Sequence, residues 1–198
     1  MFNSFPNRRR FFTEKNLLLI LLAVSVILNL FLAIEINNLK STLGLVRSEI
    51  REHQIVLGRT VSSLNVKNSK GEDIVIRYNE TPQETIVYVF SPDCIWCECN
   101  LQNIKEVFNK TQNNYKFIGL SLEKESSSKY IEEKELPFPV FHNPSDLNKS
   151  EYYFRATPST YLVSSEGKII KFWSGAFGGK TLEDVENFFM LKLPGLSE

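Results

Sequence analysis

The sequence ETIVYVFSPDCIWCECN, residues 84–100, holds all three cysteines of the chain within six positions. Its first part, residues 84–90, is a β-branched and aromatic run that predicts a buried strand. Its second part predicts a helix, because Cys94, Cys97 and Leu101 recur at helical spacing. Thiols three residues apart on one helical turn face the same side and can bond to each other. The stretch therefore predicts a redox-active pair, Cys94 and Cys97, that opens a helix directly after a buried strand.

The two thiols of this pair are predicted to have different roles in disulfide exchange. The attacking species is a thiolate, which the N-terminus of a helix favours. Cys94, in the first turn, is the expected nucleophile, and Cys97, one turn further on, is the expected resolving thiol. The carboxylates of Asp93 and Glu98 flank the pair, and their negative charge opposes thiolate formation. Because no cation lies between the cysteines, this pattern favours a reductant or isomerase over a strong oxidase.

The third cysteine, Cys99, is predicted to point away from the pair. On an ideal helix it lies about 200° from Cys97 and about 140° from Cys94. We expect a small buried side chain against the sheet, with a reactive third thiol as the alternative. The three cysteines are too close together to staple distant segments of the chain.

The N-terminal part of the chain has the composition of a membrane anchor. Residues 17–34 carry no charge and would form a helix about 27 Å long, close to the thickness of a bilayer core. Residues 8–10 are all arginine, and the basic excess on this flank favours an N-terminus in the cytoplasm and a domain outside it. A cleaved signal peptide and a twin-arginine signal are the alternatives, but no clean cleavage site follows the run.

This interpretation divides the chain into four parts. We expect a cytoplasmic tail at 1–16, a transmembrane anchor at 17–36, a helical spacer at 37–55 and a folded domain at 56–198. The spacer has apolar residues at helical spacing, and a brief coiled coil is its alternative interpretation.

Within the domain, strand and helix patterns alternate, which predicts an α/β fold with a mixed central sheet flanked by helices on both faces. The final helix is expected to open at Thr181 with a capping box completed by Asp184, and Ser145 or Asp146 is expected to cap an earlier helix. The predicted elements are a hairpin in 60–78, strands in 84–90, 115–123 and 138–143, helices in 94–111, 124–136, 145–156 and 181–193, and a hairpin in 159–175 with Glu166-Gly167 at its tip.

Three segments, YVFSPDCIWCECN (88–100), YKFIGLSLE (115–123) and ATPSTYLVSSEGKIIKFWSG (156–175), together resemble the thioredoxin superfamily. Over residues 56–193 the chain is most similar to the membrane-anchored TlpA/ResA-like thiol-disulfide oxidoreductases. The resemblance implies a thioredoxin-like fold and a cis peptide bond before Pro158, which would lie against the cysteine pair. It further implies that the backbone at Thr157 receives an extended substrate segment.

The chain departs from that family at several positions near the cysteines. Asp93 stands where many relatives carry tryptophan, and Asn100 stands near a glutamate of the relatives that act in cytochrome c maturation. The proline that commonly follows the motif and kinks the helix is missing. These departures lie next to the cysteines, so they bear on which redox pathway the protein serves and not on its fold.

The predicted function is exchange of disulfides with protein substrates outside the cytoplasm. Trp96, inside the motif, is the expected apolar contact for a substrate protein, and packing on the domain's own surface is its alternative. A membrane or soluble redox donor must reset the pair, the N-terminal helix contacts lipid, and no cofactor is needed. The 23 basic and 23 acidic residues leave no net charge that would favour nucleic acid.

The same residues leave three alternative functions open. A metal site, such as that of a copper chaperone, needs ligands beyond the thiols, and the only histidines are His53 and His142. A thiol peroxidase would require Ser91 to replace a threonine, and no upstream proline fits. A non-catalytic binding domain would not need an intact pair. Phe172 and Trp173 are expected to pack in the core, and the alternative is that one of them, turned to the other face by strand alternation, lines the site.

Overall fold

The computed structural model describes residues 14–125 and 127–197, and the chain divides into two compact units, Met1–Ile50 and Arg51–Glu198. Most of the predicted tail at 1–16 lies outside the described residues. The helices are α1 Glu14–Val56, α2 Ile95–Cys99, α3 Leu101–Thr111, α4 Ser128–Glu133, α5 Asp146–Tyr152 and α6 Gly179–Phe189. The strands are β1 Leu64–Lys67, β2 Asp73–Ile76, β3 Thr85–Phe90, β4 Lys116–Ser121, β5 Val140–His142, β6 Ser159–Val163 and β7 Ile169–Ser174.

Helix α1 contains one segment, Leu17–Gly44, with a mean hydropathy of 3.0. By length and composition this segment can cross a membrane, and none of its most apolar part is buried within the protein. The helix continues without interruption through position 36, so the sequences assigned to anchor and spacer form a single helix.

The seven strands form one mixed sheet in the order β2-β1-β5-β4-β3-β6-β7. Strands β3, β4 and β5 are parallel, whereas the hairpins β1–β2 and β6–β7 and the β1–β5 and β3–β6 pairs are antiparallel. The predicted mixed sheet and both predicted hairpins are confirmed. At the tip of the second hairpin, Gly167 has φ +79°, and a Cβ there would lie 2.7 Å from the Val61 carbonyl oxygen.

Strand β3 is buried along its whole length and supplies side chains to both faces of the sheet. Val87 and Val89 pack on the face that Tyr152 of α5 covers. Ile86, Tyr88 and Phe90 pack on the other face, against α2, α3 and α6. The predicted placement of helices on both faces is thus confirmed.

Strand β7 places its two aromatic residues on opposite faces. Phe172 belongs to the core that includes α5, and Trp173 to the core that includes α3 and α6. Both are buried, at 4% and 2% exposure, so the core interpretation is confirmed and the alternative that one lines the site is wrong. It failed because α6 covers the face that the sequence pattern left open.

The helix that follows the cysteines differs from the prediction. It ends at Cys99 and resumes at Leu101, with Asn100 between the two segments at φ −88° and ψ −3°. The Asn100 side-chain oxygen accepts hydrogen bonds from Phe177 and Asn103. The helical spacing of the sequence does not predict these bonds.

The predicted helix caps have mixed outcomes. Ser145 is confirmed as the cap of α5, because its hydroxyl accepts the Asn148 N–H at 3.2 Å. Helix α6 begins at Gly179, two residues before the predicted Thr181. The predicted capping role of Asp184 is wrong, because its carboxylate instead accepts the Trp173 indole N–H at 2.6 Å.

Candidate active site

The cysteine pair lies where β3 ends and α2 begins. Cys94 is the N-cap residue of α2, with extended backbone angles of φ −88° and ψ 109°. Its sulfur accepts the backbone N–H of Cys97 at 3.2 Å. Cys94 is half-buried, whereas Cys97 is only 1% exposed, and both are free thiols. A substrate can therefore contact the Cys94 sulfur. The Cys97 sulfur is buried next to it and is accessible only to a group bonded to Cys94.

A loop 63 residues further along the chain closes the other side of Cys94. The Cys94 thiol donates to the Thr157 carbonyl oxygen at 3.3 Å. The Thr157–Pro158 peptide bond is cis, as the resemblance implied. Pairing of Val89 with Ser159 brings this loop to the end of β3, beside the thiol. The Thr157 carbonyl therefore lies beside the Cys94 thiol.

The residues between the two cysteines form an exposed apolar surface. Ile95 is 73% exposed and Trp96 is 58% exposed. Trp96 is not part of either core cluster of the domain. An exposed apolar side chain of this size next to a reactive thiol is available to a partner protein.

Burial controls the protonation of Cys97. Burial first, and the hydrogen bond with Cys94 second, raise the pKa of Cys97 to about 12. At neutral pH Cys97 is therefore a neutral thiol. Its deprotonation during exchange needs stabilisation from the surrounding groups.

The Glu98 carboxylate has a partner that the sequence did not suggest. Lys134, at the end of α4, lies 2.6 Å from a Glu98 carboxylate oxygen. The two residues are 36 positions apart, so a search for cations within the motif could not find the pair. Asp93 is exposed and makes no ion pair within the described part of the chain. The expectation of two uncompensated carboxylates therefore holds only for Asp93.

A cavity of about 900 Å³ lies beside the pair. Pro92 and Glu98 bound it on one side, and Tyr130 and Lys134 of the α4 region bound it on the other. The Tyr130 ring stacks on Phe90, with centroids 5.6 Å apart. Burial, and after it the negative charge of Glu98, together raise the pKa of Tyr130 to about 12. The sequence does not point to Tyr130 as a residue of this region. Its helical spacing predicts a helix but does not show that this helix lies beside the cysteine pair.

Two buried asparagines hold the region behind Cys97. The Asn100 side-chain oxygen accepts the Phe177 N–H at 2.9 Å and the Asn103 amide at 3.1 Å. The Asn103 oxygen accepts the Gly195 N–H at 2.9 Å. These bonds join the α2–α3 junction to the loop before α6 and to the C-terminal segment.

Cys99 does not take the predicted place against the sheet. It is half-buried, and its carbonyl oxygen accepts the Ser197 N–H at 3.1 Å. The backbone of Cys99 is thus fixed to the C-terminal segment.

The residues considered for other functions lie apart from the pair or are otherwise engaged. His142 is buried on β5, where its Nε2 is 2.9 Å from the Asn68 carbonyl oxygen. The side chain of His53 lies outside those described. Within 14–125 and 127–197 no group of three or more His, Cys, Asp or Glu side chains could hold a metal ion. The Ser91 hydroxyl donates to the Glu123 carboxylate at 2.8 Å.

Comparison with known proteins supports the fold. The model of the AhpC/TSA family matches residues 57–172. The thioredoxin domain of a thiol-disulfide oxidoreductase from Bacteroides vulgatus is 19% identical, with a TM-score of 0.56 over 68% of this chain and 98% of that one. StoA from Bacillus subtilis is 21% identical, with a TM-score of 0.50 over 62% and 95%.

A thiol:disulfide interchange protein from Bacteroides sp. is 19% identical, with a TM-score of 0.55 over 68% of this chain and 91% of that one. Curated proteins give no significant match. The structural similarities confirm the predicted thioredoxin-like α/β fold.

Proposed function

The chain belongs to the AhpC/TSA family of thioredoxin-like proteins, and from this membership and the geometry of its dithiol we propose that it is a thiol-disulfide oxidoreductase acting on proteins. One observation carries the proposal. The accessible sulfur of Cys94 lies 3.3 Å from the Thr157 carbonyl oxygen, and the buried Cys97 lies one helical turn behind it. This is the arrangement that two successive thiol-disulfide exchanges require.

The reaction proceeds in two exchanges. Cys94, as the thiolate, attacks one sulfur of a substrate disulfide, and the other substrate sulfur leaves and takes up a proton. Cys97 then attacks the Cys94 sulfur of the mixed disulfide and releases the second substrate thiol. Two electrons pass from the dithiol to the substrate, and Cys94 and Cys97 end as a disulfide.

Three residues around Cys94 form the proposed substrate contact. The backbone of Thr157, held by the cis bond to Pro158, lies beside the sulfur and can pair with an extended segment of a substrate. The exposed face of Trp96 covers apolar side chains next to the disulfide. The proposed substrates are therefore proteins whose disulfide lies in an accessible, extended segment.

We assign the reducing direction to this exchange. Strong oxidants have a reduced form that is stabilised as a thiolate. Burial keeps Cys97 a neutral thiol, and the residue next to Cys94 is the exposed carboxylate Asp93 rather than a cation. Lys134 offsets the charge of Glu98, so the reducing direction rests on Cys97 and Asp93.

The proposed setting is the outer side of a membrane. Residues 1–16 form a cytoplasmic tail, 17–36 a lipid-contacting anchor, 37–55 a spacer and 56–198 the catalytic domain. A membrane or soluble donor resets the pair, and no cofactor takes part. The long apolar helix supports this arrangement. A membrane-impermeant maleimide added to intact cells labels Cys94 in this topology, and lack of labelling until the cells are lysed would exclude it.

The first test of the function is turnover of a protein disulfide. The full chain in detergent, supplied with a thiol reductant, is expected to accelerate reduction of the insulin interchain disulfides. Cys94→Ser removes the nucleophile and should return the rate to that of the reductant alone, about a thousandfold lower than the enzyme's own rate.

Cys99→Ser is the matched control, because it removes a thiol outside the proposed reaction and should retain the wild-type rate. Catalysis that survives in Cys94→Ser would reject the assignment. A rival copper- or thiol-binding chaperone would show no turnover in the wild type.

A further inference from the structure

Two polar groups behind Cys97 are buried without a hydrogen-bond partner in the described part of the chain. They are the hydroxyl of Tyr88, a residue 2% exposed, and the side-chain nitrogen of Asn100, a residue with no exposure. Burial of an unpaired donor opposes folding, and most buried polar groups in native proteins are paired. A pair of unpaired donors next to a reacting group therefore calls for a functional explanation.

The orientation of the Asn100 amide follows from its other bonds. Its oxygen accepts from the Phe177 N–H and from the Asn103 amide, so the oxygen end is occupied. The free end is the NH2 group, which can only donate. Asn100 follows Cys97 by three residues, at the C-terminal cap of α2.

Tyr88 lies on the face of β3 that contacts α2, in the same core cluster as Cys97. Burial raises the pKa of Tyr88 well above its ordinary value, and charge on Cys97 raises it further. Tyr130 and Cys94 act in the same direction, whereas hydrogen bonding by the Asn100 side chain lowers it, so the amide faces the Tyr88 oxygen and leaves the phenol hydrogen free to donate. The phenol is therefore protonated, within electrostatic reach of both sulfurs, and available as a donor.

We propose that the Tyr88 hydroxyl and the Asn100 amide form a buried donor pair that stabilises the negative charge of Cys97 as this residue resolves the mixed disulfide. The inference rests on the proposed function and adds two positioning residues to it. In the resolving step the Cys97 S–H bond breaks, the Cys97–Cys94 bond forms and the Cys94–substrate bond breaks. The departing substrate sulfur takes up the proton. After the S–H bond breaks and before the new disulfide forms, Cys97 carries negative charge, and the donor pair stabilises that charge by hydrogen bonds.

The test measures the resolving step by itself. The full chain in detergent, with Cys99→Ser as background, reacts with a symmetrical aromatic disulfide whose thiol product is coloured. The first coloured thiol reports attack by Cys94, and the second reports attack by Cys97 on the mixed disulfide. Both rates are followed between about pH 6 and about pH 10.

Tyr88→Phe is expected to slow the second release about tenfold and to move its pH midpoint upward by about one unit, leaving the first release unchanged. Because the substitution removes an unpaired buried hydroxyl, thermal stability should be equal to that of the parent or higher. A merely structural tyrosine would instead lose stability.

Asn100→Asp keeps an oxygen for the Phe177 N–H and replaces the free NH2 donor with a carboxylate oxygen. It is expected to slow the second release more than Tyr88→Phe does, because the carboxylate repels the Cys97 charge. Tyr115→Phe makes the same chemical change at the start of β4, at the far end of the sheet, and should match the parent in both releases.

The inference is overturned if Tyr88→Phe and Asn100→Asp both retain the parental second release, or if Tyr88→Phe slows both releases equally with a lower melting temperature. Absence of any second release in the parent would instead reject the proposed function itself.

Discussion

Cys97→Ser is expected to convert the protein from a catalyst into a trap that stays covalently joined to its substrates. Cys94 remains accessible and still attacks a substrate disulfide. The buried serine that replaces Cys97 cannot displace the substrate from the Cys94 sulfur, so the mixed disulfide persists. Non-reducing gels and intact mass should show a stable adduct in the variant, about a hundredfold or more above the wild-type level.

Cys94→Ser and the double variant Cys94→Ser/Cys97→Ser are the controls, and neither should form an adduct. Adducts that map to Cys99 by peptide mass would contradict the assigned roles. A metal chaperone gives a different pattern: stoichiometric metal in the wild type that is lost in both single variants, with no trapped substrate.

The trapped complex also tests the proposed substrate contact. Hydrogen exchange should slow at the backbone of 156–158, and the emission of Trp96 should shift to shorter wavelength as its exposed ring is covered. Unchanged exchange at this loop would place the substrate elsewhere on the domain.

The second large effect is a loss of stability of the reduced protein in alkaline solution. The pKa of Cys97 is about 12 in the folded protein, against an ordinary value of 9.0. The folded state therefore keeps a proton that the unfolded state has released. This contribution is fully present below about pH 9 and is lost as the pH rises through about 12. Between about pH 9 and about pH 11 the unfolding free energy falls by about 2 kcal/mol from this cause.

Urea unfolding of reduced wild type and reduced Cys97→Ser over this range measures the effect. Tyrosines and lysines titrate in both proteins, so only the difference between them reports Cys97. The wild type should lose about 2 kcal/mol more than the variant. Parallel pH dependence of the two proteins would mean that the Cys97 thiol is not desolvated.

The sequence was sufficient to locate the cysteine pair on the fold. The buried strand 84–90 and the helical spacing of Cys94 and Cys97 are local patterns, and local patterns specify their own elements. The hairpin around Gly167 was equally visible, because its turn chemistry lies within a few residues.

The features that the sequence did not reveal arise from contacts between distant segments. Lys134 meets Glu98 across 36 positions, and Asp184 turns from its helix N-terminus to the Trp173 indole. Asn100 interrupts the helix because Phe177 and Asn103 bind its side chain. Helical angles give the direction of a side chain from its own axis, and they leave open which neighbour lies in that direction.

The central claim is that Cys94 and Cys97 form a reducing dithiol/disulfide couple. A redox titration tests it most directly: the full chain in detergent, with Cys99→Ser, is equilibrated in thiol buffers of graded potential, alkylated and scored by mass. We expect a reversible two-electron transition on Cys94 and Cys97 below about −250 mV. A transition above about −180 mV, or the lack of any reversible transition on these two residues, would contradict it.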